Sequence, residues 1–60
     1  MAEKIKDGTV AVVERTVPGK RAWVRLADGS TLRVWDFAMT PPGAEVQLRQ
    51  TARGPQIAGR

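Results

Sequence analysis

Residues 20–37, KRAWVRLADGSTLRVWDF, set two runs rich in β-branched and aromatic side chains on either side of Ala27-Asp28-Gly29, the pattern of a β-hairpin. The loop length decides what each face of that hairpin carries. A two-residue Asp-Gly loop would oppose Val24 to Arg33 and Leu26 to Thr31, mixing apolar and polar groups on both faces. A three-residue loop makes a type I turn at Ala27-Asp28, closed by Gly29 in the left-handed conformation that glycine adopts at little cost. Leu26 then opposes Ser30, Val24 opposes Leu32 and Ala22 opposes Val34, which keeps one face apolar. On the other face Arg25 meets Thr31, Trp23 meets Arg33 and Arg21 meets Trp35. This second register is the one the sequence predicts.

Working outward, GTVAVVERTV from Gly8 is dense in β-branched residues and reads as a first strand. Val10 and Val12 share one face and Ala11 and Val13 the other, so both faces are expected to be partly buried, as in a curved strand of a small barrel. Pro18-Gly19 supplies a turn. Residues 37–44, FAMTPPGA, are too few and too rich in Pro and Gly for a full helix, and are expected to form a loop or a single helical turn closing one barrel end. EVQLRQT at 45–51 alternates, with Val46 and Leu48 inward and Gln47 and Arg49 outward. After a turn at Arg53-Gly54-Pro55, Gln56, Ile57 and Ala58 suffice for a fifth strand, with Pro55 tolerated at its start or on an edge. The expected fold is all-β: a small five-stranded, partly open β-barrel, one domain over residues 8–60. Residues 1–7, MAEKIKD, read as a flexible lead-in.

A chain of 60 residues buries only about 60% of the surface its unfolded form exposes, so the core is thin. There is no cysteine and no histidine. That removes disulfide staples, thiolate metal sites, the usual general base at neutral pH and the Ser-His-Asp and Cys-His nucleophilic arrangements. The carboxylates are scattered, and no glycine run opens a helix to cradle phosphate. The expectation is a protein that is not an enzyme and carries no metal or cofactor. The longest uninterrupted apolar run, from Val10 to Val13, is far too short for a membrane span or a signal-peptide core, which points to the cytoplasm.

The formal net charge is +4, and seven of the ten cations are arginine. Arginine offers a planar fork that grips phosphate and stacks on rings, which suits an RNA or DNA partner. In the chosen register Arg21, Trp23, Arg25, Arg33 and Trp35 share the hairpin's outer face. Such a face suits single strands, since bases stack on indoles while guanidiniums neutralise the backbone. Arg49 and Arg53 extend the candidate set, with Arg53 on a turn beside Gly54, and Arg60 lies further along. The competing structural reading covers Trp23 or Trp35 with the N-terminal segment, the 37–44 loop or a second subunit. Trp35 is the more exposed to that reading, because Phe37 follows it by two positions and can pack beside it.

The order GTVAVVE, RAWVRLADGSTLRVW, PPGAEVQLRQ and GPQIAGR resembles the small OB-fold proteins of the S1 and bacterial translation initiation factor one type. Over residues 8–60 the likeness lies in a first strand after Gly, a V-x-L-x-x-G hairpin, a Pro/Gly-led fourth strand and a basic C-terminal strand. It implies RNA bound on the sheet face around the second and third strands, where Trp23, Arg25, Arg33 and Trp35 stand. Two departures from the family pattern are visible: the segment before the fourth strand is too short for the usual helix, and Ala44-Glu45 stands where the family has Gly-Asp. An SH3-like barrel tolerates that length and is the alternative fold. The rival functional class is a protein-interaction module, for a host protein or a second copy of the chain, using the same aromatic face. A third reading is an SH3-like barrel that wedges an aromatic side chain into the minor groove of duplex DNA.

Overall fold

A computed structural model describes residues 5–59. Five strands, β1 (Thr9–Val17), β2 (Arg21–Leu26), β3 (Thr31–Trp35), β4 (Glu45–Thr51) and β5 (Gly54–Gly59), form a closed barrel in the order β1-β2-β3-β5-β4. β5 passes over β4 to reach β3, a Greek-key crossing consistent with an OB-fold-like topology. The barrel closes where a partly open one was expected, at a seam consisting of the parallel pair Trp35↔Gln56.

The β2–β3 hairpin has the register that the three-residue loop demands: Arg21↔Trp35, Ala22↔Val34, Trp23↔Arg33, Val24↔Leu32 and Arg25↔Thr31. Gly29 has φ 89° and its N–H donates to the Leu26 carbonyl at 3.0 Å, while the Leu26 N–H donates to the Ser30 carbonyl at 2.8 Å. The Asp28 carboxylate accepts from the Ser30 N–H and hydroxyl at 2.9 and 2.6 Å. These bonds fix the turn.

β1 contributes Ala11 and Val13 to the core, β2 Ala22 and Val24, β3 Val34, and β4 Val46 and Leu48. No aromatic ring belongs to that buried cluster, whose largest side chain is Leu48. Burying each Val or Leu contributes about 1.5–3 kcal/mol. The expectation that both faces of β1 are partly buried is corrected: Ala11 and Val13 are buried, but Val10 and Val12 remain 46% and 40% exposed. β-branched side chains suit a pleated surface whether or not it is covered, so their density in β1 did not measure burial.

β1 changes face partway along. Val13 pairs with Val24 and Arg15 with Trp23, so a bulge at Glu14 places two β1 residues against one step of β2. Strict alternation from Ala11 and Val13 would have turned Arg15 into the core, where an unpaired guanidinium is prohibitively costly. The bulge sends Arg15 outward and returns Thr16 to Ala22.

Residues 37–44 form turns rather than a helix, as their Pro and Gly content implied. Buried Asp36 anchors them, its carboxylate accepting from the Thr40 N–H at 2.9 Å and the Thr40 hydroxyl at 3.1 Å. Residues 1–4 of the lead-in and Arg60 lie outside the described residues. Ile5 packs against the core and Asp7 accepts from the Gln50 N–H at 3.0 Å, so this part of the lead-in is docked on β4. Among the described residues no helix is long and apolar enough to cross a membrane.

Candidate functional site

Proline decides where the barrel offers a concavity. Pro55 stands second in β5 and has no N–H to donate to a neighbouring strand. Among the described residues β3 registers with β5 only at Trp35, which leaves the Thr31–Val34 stretch of its edge without a registered partner on that side. A groove of about 630 Å³ lies there. Ile5, Leu26 and Leu32, which also pack against the core, give it an apolar part. Arg21, Trp23, Arg33 and Trp35 from the hairpin and Arg53 from the turn before β5 give it cations and rings.

Five of the seven candidate residues therefore line one groove. The other two do not. Arg25 is exposed and ion-paired with Glu14 across the β1–β2 pair, Nη2 to Oε2 at 2.6 Å. Arg49 lies on β4 beside Gln56, one strand beyond Trp35.

The two indoles differ in their surroundings. Trp35 is half-buried and engaged by several groups: its Nε1–H donates to the Arg53 carbonyl at 3.1 Å, its ring lies 5.6 Å from that of Phe37 with 2° between planes, and the Arg21 guanidinium sits 3.8 Å from its centroid. Lys20 Nζ lies 6.0 Å from the Phe37 ring and extends the stack. Such ring and cation contacts are each worth about 0.5–1.5 kcal/mol. Trp35 thus ties the β4–β5 turn to β3 at the end of the groove. Phe37 packs beside it as the spacing implied, though Phe37 itself stays 48% exposed.

Trp23 is half-buried and has no stacked ring or cation–π partner among the described residues. Its neighbours in register are Arg15 on β1 and Arg33 on β3, so cations flank it on both sides. It lines the groove and also a second hollow of about 270 Å³ shared with Glu14, Arg15 and Thr31.

Among the lining residues outside the candidate set, Arg15 and Ile5 came from beyond the hairpin and the turns. Arg15 was hidden by alternation, although the improbability of an inward arginine was itself a signal that a bulge must intervene. Ile5, an isolated apolar residue among charges, carried no pattern that could announce its docking. The turn at the groove's far end holds a lowered pKa: hydrogen bonds from the Ser30 hydroxyl and then the Ser30 N–H favour the ionised Asp28 carboxylate. No family model, curated protein or solved structure matches the chain, so the narrower likeness to the S1 and initiation factor one type stays a resemblance while the barrel itself is consistent with an OB-fold-like topology.

Proposed function

We propose that this protein is a non-catalytic cytoplasmic module that binds single-stranded RNA or DNA along the groove between the hairpin and the β4–β5 turn, with little sequence preference. The observation that carries the reading is the pairing of a half-buried indole that has no ring or cation stacked on it among the described residues, Trp23, with the guanidiniums of Arg21, Arg33 and Arg53 in one groove. A single strand offers base faces to the indole and phosphates to the cations, whereas a duplex hides its base faces. The net charge of +4 acts in the same direction by attracting polyanions.

Stacking and phosphate contacts tolerate any base, so affinity should fall steeply with salt and depend little on sequence. The test is tryptophan fluorescence with short RNA and DNA oligonucleotides at low and high salt, on two single-indole variants. Trp35→Phe leaves Trp23 as the reporter, and Trp23→Phe leaves Trp35. Quenching that is strong in the Trp35→Phe protein, weaker in the Trp23→Phe protein and lost at high salt is the expected result. Unchanged fluorescence in folded samples of both variants would overturn the reading and turn attention to a protein partner for the same face.

A further inference from the structure

The smaller hollow, which Trp23 shares with Glu14 and Arg15 of β1 and Thr31 of β3, has no part in the binding mode proposed for the groove. Trp23 lines both it and the main groove, and the register explains why: the indole stands between Arg33 on β3 and Arg15 on β1. Trp23 and Thr31 therefore lie on the boundary between the main groove and a smaller recess that carries Arg15.

Building on the proposed function, we infer that Trp23 divides two nucleotide subsites, so that consecutive nucleotides of one strand bracket the indole, with Arg15 neutralising the phosphate on the β1 side. Three observations support a built subsite here. The bulge at Glu14 exists at the one point in β1 where it brings Arg15 outward beside the ring. Glu14, whose carboxylate would repel a phosphate, is held by Arg25 at 2.6 Å, so the pair presents little net charge to an incoming strand. The recess, at about 270 Å³, is smaller than the groove's 630 Å³, which suits one nucleotide at the margin of a longer track. An indole that borders two recesses can meet a base in each, whereas one that borders a single groove meets bases there alone.

The experiment measures binding of thymidylate oligomers of one, two, three and six nucleotides to the full chain by fluorescence anisotropy and intrinsic quenching across a salt series. The expected result is a step of roughly tenfold or more in affinity between one and two nucleotides, of the size that stacking an additional base produces. Trp23→Ala should abolish that step. Arg15→Gln should weaken the six-nucleotide complex several-fold and flatten its salt dependence by roughly 0.7 in log–log slope, the single-strand value for one phosphate. Arg15→Lys should keep the slope. Equal melting temperatures for wild type, Arg15→Gln and Arg15→Lys would show that substitution at exposed Arg15 leaves the fold alone. Wild-type affinity and slope in Arg15→Gln would overturn the second subsite while leaving the groove reading intact, provided that Arg33→Gln still weakens binding. Absence of binding by the wild-type chain at low salt would overturn both.

Discussion

The two ends of the β2–β3 outer face use the same residue types differently. At the seam end, Trp35 is hydrogen-bonded to the Arg53 carbonyl, stacked with Phe37 and faced by Arg21. In mid-hairpin, Trp23 has arginines beside it on both neighbouring strands and borders two recesses, but among the described residues it has neither a ring nor a cation stacked on it. An indole whose faces and N–H are already engaged contributes to holding the barrel shut. One whose ring remains free leaves its stacking capacity to a ligand. The difference arises from neighbours outside the hairpin: Phe37 and Arg53 lie at one end only, and the β1 bulge acts at the other.

The largest effect should come from breaking the engaged end. Trp35→Ala removes a half-buried ring, its N–H bond and the stack with Phe37 at the pair that closes the barrel, and should cost about 2–3 kcal/mol of stability. For a chain of this length the total stability is about 3–9 kcal/mol, so that loss is a large fraction of it. Urea denaturation would measure it, and a loss below about 0.5 kcal/mol would show that Trp35 does not fasten the seam. Trp23→Ala should behave in the opposite way. It should change stability by about 1 kcal/mol or less, while weakening a single-stranded oligonucleotide roughly 5- to 150-fold, the range that 1–3 kcal/mol of stacking represents. Equal losses of stability in the two variants would erase the distinction between the ends.

How much of this could be read in the chain follows from the range of each interaction. The hairpin register was legible because loop chemistry and a two-face pattern are local, and only one loop length separates Val24 and Leu32 from Arg25 and Arg33. The five strands were legible for the same reason. The β1 bulge was not spelled out by any Gly, and it moved Arg15 from an apparent core position to the outer face beside Trp23. The seam was beyond local reasoning, since Trp35 and Gln56 are brought together by a crossover and pair in parallel. It is this seam, with Pro55 next to it, that gathers Arg53 and the hairpin into one groove and leaves Arg49 outside. Arg25 shared a face with the other candidates, but its ion pair with Glu14 joins two strands whose pairing lies beyond the hairpin's own pattern.

The smallest expected effect lies at the third point of the hairpin, the turn, and it sharpens the comparison by loosening the groove without touching the seam. Ser30 and Thr31 line the groove, and Ser30 is tied to Asp28 through its hydroxyl and its N–H. These bonds lower the folded-state pKa of Asp28 below the ordinary value of 3.8, so the unfolded chain binds the proton more readily. The stabilisation is therefore fully present above about pH 4, declines as pH falls through 3.8 toward the depressed folded value, and is gone below it. Because Asp28 is fully exposed, solvent keeps the effect small. Asp28→Asn should remove this acid-dependent component, so that the stability gap between wild type and variant narrows between neutral pH and pH 3. The protection of the Ser30 and Thr31 amides, taken relative to their intrinsic exchange rate at each pH, would follow the change locally, falling in the wild-type protein at low pH while the amides around Trp35 keep theirs. A gap that is constant across that pH range would mean that the Ser30 bonds do not distinguish the charged from the neutral carboxyl, and that the turn is held by Gly29 and the ladder alone.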